Sequence, residues 1–333
     1  MQNILVTGAA GFIGSNFVRY WNAQHPSDKV VALDACNYAA NLENLAETQS
    51  TFIQADICDY DTIKQILDEH KIDVVVNFAA ESHNSYAILN PSIFMKTNAL
   101  GTQQLCEAIR TSNVKRFHHI STCEVYGELE LDSKDEFFEG SAYNPQTPYN
   151  ASKAAADHIV RAYGSTFDLP YTISNCANNY GKYQFPEKVI PLFAINLLLD
   201  RKLPVYEASE NRREWIHVLD HCAAIDKILQ SPKLQETYNV GTGLELSVMD
   251  LAKIILNYFD KDESYIEIVK NRPSHDKRYL LNSDKIKKEL AFEPKIDFED
   301  GIKETLAWYK DNPEWWKPLL DKSPVDETTW NQS

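Results

Sequence analysis

The sequence predicts an α/β fold: a doubly wound parallel sheet with helices on both faces and a smaller mixed α/β cap. Three observations carry this. Short apolar runs recur along the first half, with helix-period stretches between them. The first run leads straight into Gly8-Ala-Ala-Gly11-Phe-Ile-Gly14. Each run also stops at a polar or small residue, where such a sheet opens its ligand cleft.

Taken in order, Ile4-Leu-Val6 is the first strand, and the glycine segment turns it into a helix that runs through Trp21. Val30-Val-Ala-Leu33 is the second strand and ends in Asp34; Thr51-Phe-Ile53 is the third and ends in Asp56. Val74-Val-Val76 stops at Ala79-Ala80, and Arg116 to Ile120 stops at Ser121-Thr122. Helix periodicity fills 61–70, 91–112 and 148–167. Beyond about residue 180 the pattern changes, with prolines at 186, 191, 204, 232, 273 and 294, shorter helices and longer polar loops. This divides the chain into a dinucleotide-binding domain (1–180, with about 208–240 rejoining it) and a mainly substrate-binding domain (181–320). Residues 321–333 lack periodicity and read as a loose tail.

Composition narrows the function classes. The 333 residues carry a net charge of −15, and 44% are apolar. That charge disfavours nucleic acid and anionic membranes, and the basic run Lys285-Ile286-Lys287-Lys288 reads as a solvated helix face. The six cysteines (36, 58, 106, 123, 176, 222) show no Cys-x-x-Cys spacing, which argues for reduced thiols rather than a metal site or disulfide framework. The start lacks the charge and apolar length of a signal peptide, and no apolar run reaches membrane-spanning length. The expectation is a cytoplasmic protein.

The glycines after the first strand open a helix, so backbone N–H groups and the helix dipole meet there as an anion site suited to a pyrophosphate. Asp34 lies 20 residues past Gly14 at the end of the next strand. A carboxylate there accepts both ribose hydroxyls and repels a 2′-phosphate, which favours NAD and a Rossmann-type domain. Asp56 suits either an adenine contact or a helix N-cap. Tyr149 and Lys153 are four apart on a helix and share one face. A phenol near pKa about 10 is a poor base, and a neighbouring ammonium is expected to lower it so that it takes a proton from a sugar hydroxyl.

Six segments carry a resemblance: Thr7–Gly14, Phe78-Ala-Ala-Glu-Ser-His83, Ser121-Thr-Cys-Glu-Val-Tyr-Gly127, Tyr149-x-x-x-Lys153, Asn178–Pro191 and Arg272-Pro-Ser-His-Asp-Lys-Arg278. Together they resemble the extended short-chain dehydrogenases/reductases and, within them, the dTDP-glucose 4,6-dehydratases. The likeness covers residues 1–310, and 178–191 is its most specific part. It implies a tightly bound, recycled NAD held by Gly8, Gly11, Phe12, Ile13, Gly14, Asp34, Asp56, Ile57, Ala79, Ala80 and Ser82, with Tyr149 and Lys153. It implies C4 oxidation by the Tyr149–Lys153 pair, with Thr122 near O4. Glu124 would remove the C5 proton, the residue at 123 would protonate the departing C6 hydroxyl, and hydride would return to C6. His83, Asn178, Lys188, Arg213, Arg272 and His275 would hold the nucleotide sugar. The family also implies a homodimer formed through the helices at 91–112 and 148–167.

The chain departs from that pattern in places. Cys123 stands where the family has aspartic acid, and a thiol with pKa about 8.5 is protonated at pH 7 but is a weak acid and donor. His83-Asn84-Ser85-Tyr86 replaces the usual aspartate and arginine after the histidine; Asn175 and Val248 are further changes, and Val248 removes a polar contact to the base. The expected activity is NAD-dependent dehydration of a nucleotide-activated hexose, dTDP-glucose first, to the 4-keto-6-deoxy sugar. The alternatives are a divergent dehydratase (a UDP-sugar substrate or a 5,6-ene product), a nucleotide-sugar epimerase, and an NAD-sensing binding module.

Overall fold

A computed structural model describes residues 1–324. The tail expected over 321–333 lies outside the described residues from 325 on, while 321–322 close a short 3₁₀ helix. Seven strands form the main sheet: β1 (Asn3–Thr7), β2 (Lys29–Asp34), β3 (Ser50–Gln54), β4 (Val74–Asn77), β5 (Arg116–Thr122), β6 (Tyr171–Cys176) and, from far along the chain, β10 (Glu236–Val240). Their order is β10-β6-β5-β4-β1-β2-β3, with every pairing parallel. The order reverses between β1 and β4, and a doubly wound sheet opens its ligand crevice at that point.

The apolar runs are continuous rather than alternating because both faces of the sheet are buried. Ile4, Val6, Val30, Ala32, Val74 and Val76 face Phe17, Trp21 and Ile225 on one side. Leu5, Val31, Leu33 and Val75 face Leu67, Leu105 and Ile109 on the other. The helices concerned are α1 (Phe12–Gln24), α2 (Tyr60–Glu69) and, after two short helices α3 (Asn84–Leu89) and α4 (Pro91–Phe94), α5 (Thr102–Arg110). The single helix expected over 91–112 is therefore α4, a π-helical segment Met95–Gly101, and α5. Widened turns of this kind gather at functional sites. Here the segment holds Asn98, whose amide bonds the backbone of Glu81 in both directions and donates to Ser152.

Helix α6 (Pro148–Phe167) crosses beside that segment, capped at its start by Thr147. The cap is built from strands β7 (Asn178–Tyr180), β8 (Leu203–Tyr206), β9 (Arg212–His217), β11 (Glu245–Ser247) and β12 (Ile266–Val269). β9 pairs with β7 and β11, and β8 pairs with β12. These sheets pack with helices α7 (Val189–Leu198) and α9 (Val248–Tyr258) into a second core that takes in Trp215, Trp315 and Trp316. Between β9 and β10 runs α8 (Val218–Gln230), whose Cys222 and Ile225 share the core of α1, so 218–240 returns to the main sheet.

Candidate active site

The glycine turn shows why its sequence is fixed. Gly8 has φ +65°, and a Cβ there would lie 2.6 Å from the backbone nitrogen of Ala79. A Cβ on Gly14 would lie 2.2 Å from the carbonyl oxygen of Gly8. Glycine thus brings β1, β4 and α1 into contact. Helix α1 starts with no side-chain cap and no acid in its first turn, so its amide groups are left for an anion. Asp34 ends β2 with Oδ2 accepting from Ala10 N at 2.9 Å and Oδ1 from Cys36 N at 2.8 Å. Burial pushes its carboxyl upward, and these two backbone donors hold it down. Asp56 faces the same cleft and accepts from Cys58 N; the N-cap of α2 is Asp59, so Asp56 is not that cap.

All the expected cofactor contacts line one cleft of about 330 Å³: Gly8, Gly11, Phe12, Ile13 and Gly14 from the turn, Asp34, Asp56 and Ile57, then Ala79, Ala80 and Ser82. A dinucleotide fits these residues, because the backbone amides suit its phosphates and the β2 carboxylate suits its ribose. Among the residues not foreseen as contacts that line it as well are Glu81, held by Asn37 Nδ2 at 3.1 Å, and Cys176 at the end of β6.

The catalytic candidates meet at the inner end of this cleft. Thr122, Glu124, Tyr149 and Lys153 line it together. Lys153 Nζ donates to the carbonyl of Ile120 at 2.6 Å, and burial lowers its pKa. Burial raises the Tyr149 phenol well above its ordinary value, with the Glu124 carboxylate next in effect and a hydrogen bond with Thr122 pulling the other way. The lowering expected from the neighbouring ammonium does not prevail here. Desolvation dominates both members of the pair. Glu124 lies in the first turn of a one-turn 3₁₀ helix, Cys123–Tyr126; its carboxyl is raised by burial and accepts from Asn84 Nδ2 at 2.9 Å.

Beneath the pair runs a buried polar chain that sequence reading did not find. Thr7 Oγ1 donates to Asn77 Oδ1 at 2.6 Å, so the Asn77 amide donates to His119 Nδ1 at 3.1 Å. That leaves His119 Nε2–H facing Asp157 at 3.4 Å, and Ser121 donates to the same carboxylate at 2.7 Å. Asp157 sits one turn past Lys153 and raises its pKa against desolvation. The chain ties the glycine-turn strand to the helix of the catalytic pair.

The substrate candidates spread from cleft to cap. Asn178 and Lys188 line the cleft, and Lys188 donates to Ser82 O at 3.0 Å. His83 is buried and caps α3; burial, then Lys188 and Arg272, drives its pKa far down. Arg213 Nη1 donates to the carbonyls of Arg212 and Lys277 and Nη2 to that of Asp276, and the guanidinium stacks 4.8 Å over Tyr279. Arg213 and Arg272 nonetheless act on Glu124, lowering it. His275 packs against Tyr206, and its Nδ1, like Arg272 Nε, is buried without a partner among the described residues. Such atoms fit a polar ligand. Cys123 stands apart: it is 2% exposed within an apolar cluster with Val125, Tyr126 and Ala177, and it does not line the cleft.

A doubly wound sheet, a glycine turn with its β2 carboxylate, and a Tyr-x-x-x-Lys helix under a woven cap define an extended short-chain dehydrogenase/reductase. The family model for GDP-mannose 4,6 dehydratase matches residues 5–305, and the chain belongs to that family. It is 44% identical over 323 residues to a dTDP-glucose 4,6-dehydratase of Mycobacterium tuberculosis, covering 96% of this chain and 97% of the relative. It is 42% identical to dTDP-glucose 4,6-dehydratase 1 of Escherichia coli K12, over 94% of each chain. Among solved structures, a dTDP-glucose 4,6-dehydratase from Streptomyces venezuelae with NAD bound superposes with TM-score 0.92 at 42% identity, covering 95% of this chain and 99% of that one. A UDP-glucose 4-epimerase from Thermotoga maritima gives TM-score 0.87 at 27% identity, covering 93% and 99%.

Proposed function

We propose that this enzyme is an NAD-dependent hydro-lyase that converts dTDP-glucose to its 4-keto-6-deoxy sugar. The observation that carries the reading is the meeting of Thr122, Glu124, Tyr149 and Lys153 at the inner end of a dinucleotide cleft. Oxidation needs the tyrosine and lysine; water loss also needs a carboxylate, and Glu124 supplies it. Relatives over 40% identical that carry this activity support the substrate.

When bound, NAD supplies the hydride acceptor for C4 and the hydride donor for C6. Tyr149 takes the C4 hydroxyl proton, Thr122 holds that oxygen, and the Lys153 ammonium steadies the phenolate. The resulting ketone makes the C5 proton acidic, and Glu124 removes it. Asn178, Lys188, Arg213, Arg272 and His275 anchor the nucleoside diphosphate end, with His83 beside them, and guanidinium groups suit a diphosphate by their bidentate donors. A hydride returned to C4 would serve an epimerase, yet C4 epimerisation needs no base at C5, so Glu124 favours the lyase.

A homodimer completes the reading. Leu89, Met95, Leu100 and Phe167 are half-exposed on α3, the π-helical segment and α6, an apolar face of the kind that subunits cover. Among the described residues no helix is long and apolar enough to cross a membrane.

The test is incubation of the purified protein with dTDP-glucose and measurement of the 4-keto-6-deoxy product by mass and alkaline absorbance. No product from dTDP-, UDP- or CDP-glucose or from UDP-N-acetylglucosamine would rule the reading out.

A further inference from the structure

We propose that Glu124 alone carries both proton transfers of the elimination, with Asn84 as its positioning residue and Cys123 as a packing residue. The inference rests on the lyase reading above. In chemical terms, the Glu124 carboxylate takes the proton from C5, next to the C4 ketone, and becomes the acid. The electron pair left at C5 forms the C5–C6 double bond as the C6–O bond breaks. Glu124 then gives its proton to the departing oxygen, which leaves as water, and the carboxylate is restored.

Two sets of contacts support this. First, the side chain at 123 is turned into the fold: Cys123 packs with Val125, Tyr126, Ala177 and Ile216, while its neighbours Thr122 and Glu124 both line the cleft. A thiol also ends one bond short of where a carboxyl oxygen would reach. Burial and the adjacent Glu124 push the thiol well above its ordinary pKa, which makes it a still poorer acid.

Second, Glu124 is held by one oxygen. Asn84 Nδ2 donates to Oε2 at 2.9 Å, and Asn84 Oδ1 accepts from Thr147 Oγ1 at 2.8 Å, which fixes the orientation of the amide. Thr147 in turn caps α6 by accepting from Asn150 N at 3.1 Å. The carboxylate is thereby braced on the helix that bears Tyr149, and Oε1 is left to exchange a proton. Burial raises Glu124, and the Asn84 bond, the Arg213 and Arg272 charges offset part of that rise. A carboxyl so poised serves as base and then as acid.

Reduction of the bound cofactor, seen by absorbance on adding sugar, reports C4 oxidation separately from water loss. Cys123→Ala and Cys123→Ser should form product within about threefold of the parent. Glu124→Gln should still reduce the cofactor but release no water. Asn84→Ala should leave C4 oxidation unchanged, slow water loss about tenfold, and move the acid limb of kcat to higher pH, because a donor that lowers Glu124 is gone. Loss of roughly 100-fold in water loss for both Cys123 variants, with recovery in Cys123→Asp, would overturn the proposal. Cofactor reduction at the parental rate serves as the folding check on those variants, and the near-isosteric serine decides if alanine fails it. A parent enzyme that makes no 4-keto-6-deoxy sugar overturns the lyase reading itself, before any variant is compared.

Discussion

Tyr149 and Glu124 both titrate in a desolvated pocket, and each is raised above its ordinary value. For Glu124 the sign is simple. A base works only when deprotonated, so kcat should fall as pH drops through its raised pKa, at a pH above the ordinary carboxylate value of about 4.3. A pH–rate profile showing that acid limb, shifted to higher pH in Asn84→Ala, checks it. Tyr149→Phe removes the acceptor of the C4 hydroxyl proton and should lower kcat by roughly 10²- to 10⁴-fold while the bound nucleotide is retained. Pre-steady-state cofactor reduction should show that the loss lies in the first hydride transfer. Tyr149 was legible as a spacing, four residues before Lys153, while Glu124 was legible only through the resemblance carried by Ser121–Gly127. The role of Asn84 was not legible, because its two partners lie 40 and 63 residues away; the sequence marked it only as a departure from the family pattern.

At the scale of elements, the glycine turn and the strand–helix joints set the architecture. Gly8→Ala puts a Cβ against the Ala79 nitrogen at φ +65°, a clash against backbone that cannot yield. It should cost more than about 1 kcal/mol of stability and weaken NAD binding, read by thermal melting with and without NAD. Another joint is His221 of α8, whose Nδ1 meets Asn179 Oδ1 of β7 at 2.9 Å. Burial lowers its pKa to about 3. It stays neutral in the fold but protonates near pH 6.5 when unfolded, so the unfolded chain binds the extra proton between those values and stability falls as pH drops through 6.5. His221→Gln should remove roughly 2 kcal/mol of the stability lost between pH 7 and 5, measured by denaturant unfolding. Strands β1, β2 and β4 were plain in the sequence because a strand buried on both faces is a continuous apolar run. Strands β6 and β10 went unread because polar residues interrupt Tyr171–Cys176 and Glu236–Val240. The break of 91–112 into α4, a π-helical segment and α5 was not plain either, since its periodicity remains helical and the widened turn follows from the Asn98 contacts with Glu81 and Ser152.

For the whole molecule, the cleft lies between a sheet complete only when β10 returns and a cap assembled from five strands. The half-exposed apolar residues on the π-helical segment form the outer face of the same helical layer that presents Tyr149 inward. Dimerisation would therefore brace the catalytic helix. Met95→Glu with Leu100→Glu should turn a dimer into a monomer by sedimentation and lower the melting temperature; a parent that sediments as a monomer would remove the homodimer.

The sequence by itself determined what is local. Strand runs, the φ-restricted glycine turn, the carboxylate on β2 and the four-residue spacing of Tyr149 and Lys153 are each written within one or two turns of chain. Tertiary structure decided what long-range contacts impose. It buried Tyr149 and Lys153 so deeply that desolvation dominates the titration of both, turned Cys123 into an apolar cluster, and braced Glu124 through Asn84 and Thr147. Those outcomes depend on which side chains the fold brings together and how much water it removes, and neither is a property of neighbouring residues in the chain.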